Sequence, residues 1–346
     1  MSDLNDGLSD DICKQRHSSS ELGLRIGALW VILVTSLLGT LFPIVAKRVP
    51  ALRRRTPATL FEFAKSAGSG VILATALIHL LEPAVDLLGD NDCISPGWAA
   101  YPYPYALVLV AIYISFVLQI FATRYGRAKL ESFNGLGSSD TAVYAANSLK
   151  KLDEESDGGA ETASIESRDR AFAFQDATEE NTLGTQIVAI CSLEFGICFH
   201  SVIIGLTLAV SDDDEFKPLF VVLVFHQMFE GLGVGARLAF LTLDQRYNWI
   251  PWACSILYSI CTPVGMAVGL GIHQGLPVDG EALSVVSGVM YALSAGILLH
   301  TAMVELMAHE VIFSKYYHTC SIGRLSFTLG SFAVGAGLMA ALAKWA

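Results

Sequence analysis

Eight long apolar stretches dominate the 346-residue sequence. Each spans roughly 20 residues or more, the length needed to cross a hydrocarbon core of about 30 Å. They lie at 24–46, 66–86, 104–123, 184–210, 218–243, 249–272, 282–308 and 324–343. Only 16% of the residues are charged, against roughly 25% in soluble domains, and the stretches lack the two-residue alternation of barrel strands. We therefore predict an all-α membrane protein with eight transmembrane helices, because a helix satisfies its own backbone groups in lipid.

The same pattern divides the chain into four parts. We predict a disordered extracellular N-terminus over 1–23, helices 1–3 over 24–123, a largely disordered cytoplasmic loop over 124–183, and helices 4–8 over 184–343. The first apolar run begins near Leu22 and is long enough to span, so we interpret it as a helix rather than a cleaved leader. Residues 131–182 contain twelve acidic and four basic residues with little apolar periodicity, which is typical of a disordered segment.

Lysine and arginine are distributed unevenly over the predicted loops. Seventeen of the 22 lie on one set of connections, chiefly 46–66 and 124–183, and an excess of basic residues marks the cytoplasmic side. Both termini are then expected outside. The formal net charge of −11 argues against a nucleic-acid partner, because polyanions bind basic faces. The sequence contains no GxxxxGK[ST] string, so ATP hydrolysis is not expected to drive any transport.

Ionisable side chains inside the predicted spans are functional candidates, because burying them in a bilayer is costly. The fourth span contains HSVIIG, which begins at His200, and the fifth contains HQMFEG, which begins at His226 and includes Glu230. His226 and Glu230 are four residues apart and share a helix face. The helical rise places His200 about 15 Å, and His226 and Glu230 about 12 and 18 Å, below the outer ends of their spans.

This convergence predicts a metal site near the membrane midplane, with Ser201 and Gln227 beside the three ionisable residues. Imidazole nitrogen and carboxylate oxygen together suit Zn²⁺ and neighbouring first-row metals. Simpler roles remain open for each residue alone. An intramembrane histidine often bonds one helix to another, Glu230 could only pair with His226, and the cluster could carry protons instead of a metal.

Other charged positions extend this pattern. His79 and Glu82 on the second span lie three residues apart and are expected to line an outer entrance path, although Glu82 could equally be a solvated helix end. His300 and Glu305 on the seventh span are expected to line the exit path. Glu194 lies in the inner half of the fourth span, and the sequence identifies no partner for it.

Small residues recur within the spans. Glycines at helical spacing predict close helix packing; they are Gly330, Gly335 and Gly337 in the eighth span and Gly265, Gly269 and Gly271 in the sixth. The four cysteines within the spans are expected to be small packing residues; they are Cys191, Cys198, Cys254 and Cys261.

On these strings the chain resembles the ZIP family (Zrt/Irt-like zinc and iron transporters), in particular its plant and fungal plasma-membrane members. GSGVILATALIHLLEPA on the second span, YSICTPVGMAVGLGI on the sixth and GILLHTAMVEL on the seventh add to HSVIIG and HQMFEG. The resemblance implies uptake of Zn²⁺, with Fe²⁺ as an alternative, toward the cytosol by alternating access at a site on helices 4 and 5. It also implies inverted relatedness between helices 1–3 and 6–8. Homodimer formation stays open.

Carrying over the family's residues gives His200, His226 and Glu230 as primary ligands, alongside Ser201 and Gln227. The sequence departs from the two-metal members of the family, which have an acidic residue four positions after the histidine of helix 4, where this chain has Ile204. The other second-site acidic positions are Gln227 and Thr262. We therefore expect one tightly held metal. The 131–182 segment also lacks the histidine run often found in that loop.

The leading hypothesis is a secondary carrier that needs no cofactor and has the divalent ion as its substrate, with membrane lipid around it. A selective divalent-metal channel is the alternative within transport. An intramembrane zinc hydrolase is the alternative outside it, since a buried zinc with an open position can activate water. The sequence has no HExxH string, which disfavours an enzyme.

Overall fold

The computed structural model describes residues 22–89, 94–134, 183–211, 213–241, 245–275 and 280–345. Eight helices in these ranges are long and apolar enough to cross a membrane. In chain order they are α1 Leu22–Arg48, α2 Ala58–Leu88, α3 Tyr103–Asn134, α4 Leu183–Val210, α5 Asp213–Ala239, α6 Ile250–Gly275, α7 over 280–312 and α8 Ile322–Leu342. Short helices lie at Pro50–Arg53, Pro96–Ala99, Gln245–Tyr247, Lys315–Thr319 and Ala343–Trp345. The described ranges contain no strand, and the predicted all-α fold with eight spans is confirmed.

Two helices extend furthest beyond the apolar stretches that predicted them. Helix α2 begins at Ala58, after the extended residue Pro57, and not near residue 66. Its first turns include Glu62, whose carboxylate is buried and lies 2.7 Å from Arg324 on α8. A hydropathy profile misses this start because it counts Glu62 as an isolated charge and takes no account of its ion pair with Arg324. Helix α3 continues to Asn134, so the first part of the predicted loop over 124–183 is helical.

Two of the predicted segments fall outside the described residues. These are nearly all of the N-terminal segment 1–23 and the 135–182 part of the loop. Their assignment as disordered extracellular and cytoplasmic chain stays a prediction.

Helices α2 and α7 share an irregularity that the sequence did not predict. Each begins as an α-helix and continues in the wider π form, over Thr75–Leu81 in α2 and Thr301–Ile312 in α7. A π segment rotates the following side chains relative to a regular helix, and such segments are frequent at functional sites. His79 lies in the first π segment and Glu305 in the second.

The helix contacts follow one exchange pattern. Helix α4 packs chiefly on α6, and α5 packs correspondingly on α1. Helix α3 packs on α7, and α8 packs correspondingly on α2. Helix α7 contacts α4 as α2 contacts α5, while α1 meets α6 at the centre. Exchanging helices 1–3 for 6–8, and 4 for 5, therefore maps the packing onto itself. This is the arrangement expected for two inverted repeats around α4 and α5.

Glycines permit the closest of these contacts. A Cβ atom on Gly265 of α6 would overlap the Val202 carbonyl oxygen of α4, and one on Gly235 of α5 would overlap the Thr40 carbonyl oxygen of α1. Gly269 and Gly335 also lie in tight contacts, as predicted. Three other predicted packing glycines, Gly271, Gly330 and Gly337, have open space around an added Cβ within the described structure.

Candidate metal site

The three residues predicted as primary ligands meet between α4 and α5. His200 Nε2 lies 3.2 Å from His226 Nε2, and His226 Nε2 lies 3.6 Å from Glu230 Oε2. One ligand atom from each residue falls within 4.8 Å of the other two. All three side chains are buried, with 0%, 2% and 0% exposed. Among the described residues, they are the one set of three or more metal-ligating side chains that comes together in this way.

The helix packing explains how these side chains come to meet between α4 and α5. Helices α4 and α5 touch each other at few positions, because each packs instead on its own neighbour, α6 or α1. The ligands therefore face each other across the space between two separately supported helices. His226 and Glu230 share one face of α5 through their spacing of four residues.

The polar atoms of this site are incompletely satisfied. His200 Nδ1 and Glu230 Oε1 are buried and have no hydrogen-bond partner within the described part of the chain. Two imidazole nitrogens that face each other at 3.2 Å repel unless a proton or a cation lies between them. Because buried polar groups are normally paired, the arrangement suits a bound cation whose ligands are already in place.

Tyr258 of α6 belongs to the site although the sequence analysis did not select it. Its hydroxyl donates to Glu230 Oε2 at 3.3 Å and lies 3.2 Å from the Gln227 carbonyl oxygen. The side chain is fully buried. A signal for it existed in the sequence, since Tyr258, Ser255, Ser259 and Thr262 place four hydroxyls in two turns of an otherwise apolar span.

Gln227 and Ser201 lie in the same buried layer and are neutral. The Gln227 amide nitrogen donates to Ser36 Oγ on α1 at 3.1 Å and to Thr262 Oγ1 on α6 at 2.8 Å. Gln227 Oε1 and Ser201 Oγ are buried without a partner among the described residues. Ile204 packs against an apolar cluster that includes Leu208 and Phe216. The positions that would have to supply charge to a second ion therefore offer amide, hydroxyl and hydrocarbon groups.

His79, predicted on the entrance path, lies beside the central site. Its ring centre is 5.8 Å from that of His226, and its Nε2 lies 3.3 Å from the Met339 carbonyl oxygen of α8. Glu82, its predicted companion, is exposed at the start of the α-helical end of α2. The two residues therefore occupy different surroundings despite their spacing of three.

His300 and Glu305, predicted on the exit path, are buried on α7 next to α3. Both ring nitrogens of His300 are buried without a hydrogen-bond partner in the ranges described. The centre of its ring lies 6.4 Å from the centre of the Phe116 ring on α3. Glu305 accepts a hydrogen bond from Gln119. Sequence reasoning did not predict this involvement of α3.

Nearly the whole chain is similar to known proteins of one family. The family model described as "ZIP Zinc transporter" matches residues 22–343. Zinc-regulated transporter 1 of Saccharomyces cerevisiae is 36% identical over 340 residues, covering 95% of this chain and 89% of that protein. Zinc-regulated transporter 1 of Schizosaccharomyces pombe is 36% identical, covering 94% and 86%, and Zinc transporter 3 of Arabidopsis thaliana is 31% identical, covering 93% and 84%. The chain therefore belongs to the ZIP family of zinc transporters.

Proposed function

We propose that the protein carries Zn²⁺ across its membrane toward the cytosol through a site formed by His200, His226 and Glu230. The observation that carries this proposal is the convergence of three buried ligands across the gap between α4 and α5. Zinc transport is the function named for the relatives, which are transporters and not enzymes. The protein is accordingly a transporter and not an intramembrane hydrolase.

The ligand set suits an ion that must bind and then leave. Two neutral imidazoles and one carboxylate leave the site with a net positive charge when Zn²⁺ is bound, because Glu230 supplies a single negative charge. The Tyr258 hydroxyl holds that carboxylate in place. Moderate affinity is what transport requires, since an ion bound too tightly cannot be released. The neutral Ser201, Gln227 and Thr262 favour one tightly held ion per chain.

The distribution of basic residues supports the proposed direction of transport, and the family resemblance supports the proposed location. Seventeen of 22 basic residues lie on one set of loops, which supports cytoplasmic loops there and both termini outside. The resemblance to the plant and fungal plasma-membrane members of the family supports a location in the plasma membrane, with Fe²⁺ as a second cargo and a homodimer as a candidate assembly. His79 and Glu82 would then lie on the outer approach, and His300 and Glu305 on the inner route.

Replacing the single carboxylate of the site tests the proposal. Glu230→Gln keeps the size of the side chain and removes its charge, so Zn²⁺ uptake into liposomes that contain the purified variant should fall. The loss should exceed the roughly 10–100-fold effect typical of changing a residue that only supports a ligand. Ser201→Ala is the matched control in the same buried layer and should have a much smaller effect, because a hydroxyl is a weak zinc ligand. Near-normal uptake by Glu230→Gln would refute the site.

The same liposomes separate a carrier from a channel. Uptake that saturates with Zn²⁺ concentration and slows steeply on cooling indicates a conformational cycle. Flux that rises linearly with concentration and depends weakly on temperature would indicate a channel.

A further inference from the structure

Four cysteines lie within the spans, two on α4 and two on α6, and Glu194 lies between the two on α4. Cys191 and Cys198 lie three residues before and four residues after Glu194, so all three share one face of α4. Cys254 and Cys261 are seven residues apart on α6 and also share one face. Because α4 packs chiefly on α6, these two faces meet.

The contacts of Cys198 with Glu194 and with Cys261 define the centre of this cluster. The Cys198 thiol lies 3.8 Å from Glu194 Oε2, and the Cys198 and Cys261 side chains are hydrogen-bonded to each other. Cys261 also lies 3.1 Å from the Leu257 carbonyl oxygen of its own helix. Glu194 is within electrostatic range of both Cys261 and Cys254. The Cys198 thiol therefore lies between the Glu194 carboxylate of its own helix and Cys261 of the neighbouring helix.

Glu194 is the part of this cluster that packing does not explain. The side chain is only 6% exposed, and its Oε1 is buried without a hydrogen-bond partner among the residues described. A buried polar atom without a partner is costly, and a carboxylate inside a membrane span is a functional candidate. Cysteines that served only to fill space would gain nothing from surrounding it.

The cluster adjoins the central site along α4 and α6. Glu194 precedes His200 by six residues, which is about 9 Å along the helix, and Cys261 follows Tyr258 by three. Glu230 is within electrostatic range of Cys198, and Tyr258 is within range of both Cys198 and Glu194. In the proposed orientation, the N-terminal ends of α4 and α6 face the cytosol, so the cluster lies on the cytosolic side of the central site.

We propose that Glu194, Cys198 and Cys261 form a second, weaker metal site that takes up Zn²⁺ as it leaves His200, His226 and Glu230 toward the cytosol. The direction of this transfer rests on the proposed function, whereas the existence of the site does not. Sulfur ligands select soft or borderline ions such as Zn²⁺ and Cd²⁺ over Mn²⁺ and Fe²⁺. When a thiol binds, its S–H bond is replaced by a bond from sulfur to the metal, and the proton is released to water.

Cadmium is a direct probe of the site, because a bond from thiolate sulfur to Cd²⁺ absorbs in the ultraviolet and bonds from imidazole or carboxylate do not give this band. The reduced full-length protein is titrated with Cd²⁺, and bound ions are counted in parallel by equilibrium dialysis. We expect one ion to bind first without the band and a second to bind with it. Cys198→Ser should abolish the band while the first ion is still bound, and Glu194→Gln should weaken the second ion by about tenfold or more.

Two further variants complete the test. Cys320→Ser is the matched control, since Cys320 lies in the short connection between α7 and α8 and its thiol donates to the Tyr317 carbonyl oxygen of its own turn. It should leave the band unchanged. Glu230→Gln should also keep the band although it loses transport, so failure of the central site and failure of this second site are distinguishable. A band that survives in Cys198→Ser, or that disappears in Glu230→Gln, would overturn the proposal.

A measurement on the unaltered protein guards against variants that do not fold. Bound Cd²⁺ should slow the alkylation of Cys198 and Cys261, located by peptide mass, and should not slow that of Cys320. Equal rates with and without Cd²⁺ at all three positions would overturn the proposal. A disulfide between Cys198 and Cys261 in the protein as isolated from the membrane would overturn it as well, because two joined sulfurs cannot bind an ion in this way.

Discussion

At the scale of single residues, buried hydroxyls on neighbouring helices hydrogen-bond to Glu230 and Gln227. Glu230 is the one charge of the central site, and the Tyr258 hydroxyl donates to it from a neighbouring helix. Gln227 is likewise held by hydroxyls on α1 and α6. Groups that orient a metal ligand in this way typically contribute 10–100-fold in affinity.

Removal of the Tyr258 hydroxyl tests this role. Tyr258→Phe keeps the ring and leaves Glu230 Oε2 without its donor, so the carboxylate loses its fixed orientation. We expect Zn²⁺ affinity to fall by about 10–100-fold, measured as a rise in the apparent KM for uptake and by calorimetric titration. Tyr291→Phe is the matched control, because Tyr291 is also buried but donates to Thr207 Oγ1 at 2.6 Å. Equal effects of the two variants would assign the loss to general packing and not to the ligand.

The convergence of His200, His226 and Glu230 could be predicted from the sequence, but the residues that hydrogen-bond around them could not. His200, His226 and Glu230 stand out because ionisable groups are rare in spans and because helical rise alone aligns their depths. Tyr258 and Ser36 were missed because a hydroxyl in a span is common and its partner is set by which helices become neighbours. Glu194 was noticed without a partner, although Cys198 lies 3.8 Å from its carboxylate and the spacing of four residues on one helix could have indicated this contact.

At the scale of helices, hydropathy predicted the number of spans but did not predict the π segments within two of them. The π segments of α2 and α7 leave the apolar pattern intact, so no periodicity reveals them. His79 lies in the π segment of α2, partly buried against His226, whereas Glu82 immediately after this segment is exposed. A regular helix would have kept the two residues on one face through their spacing of three.

The separation of His79 from Glu82 predicts unequal effects of mutation. His79→Ala removes an imidazole next to the central ligands, so the apparent KM for Zn²⁺ uptake should rise, by more than the maximal rate falls. Glu82→Gln changes an exposed carboxylate and should leave both parameters within about twofold, since exposed charges contribute little. If the two variants raise KM equally, the residues act together on the outer approach, and the proximity of His79 to His226 has no functional meaning.

At the scale of the whole molecule, the two ends of the helix bundle are joined by different ionic contacts. At one end, buried Arg25 of α1 donates to the Ala209 and Ser211 carbonyl oxygens and to Asp213 Oδ1, at 2.9, 2.6 and 2.9 Å. At the other end, Glu310 of α7 lies 3.3 Å from Arg237 of α5 and 3.4 Å from Lys65 of α2. The first contact ties α1 to the α4–α5 connection, and the second joins α2, α5 and α7. A carrier that exposes its site to alternate sides must loosen one end while the other stays closed.

These contacts give the last prediction, in which two mutations act in opposite directions. Arg25→Gln weakens the end that we place outside, and Glu310→Gln weakens the cytoplasmic end, so each should shift the population toward the state open on its own side. Every 1.4 kcal/mol lost from one contact changes the ratio of the two states about tenfold.

The readout is the labelling rate of a cysteine introduced at position 305, measured with a membrane-impermeant reagent added to either side of sealed liposomes. We expect labelling from the cytoplasmic side, faster in Glu310→Gln and slower in Arg25→Gln. Labelling only from the outside would contradict the topology, and equal rates in both variants would show that neither contact controls access.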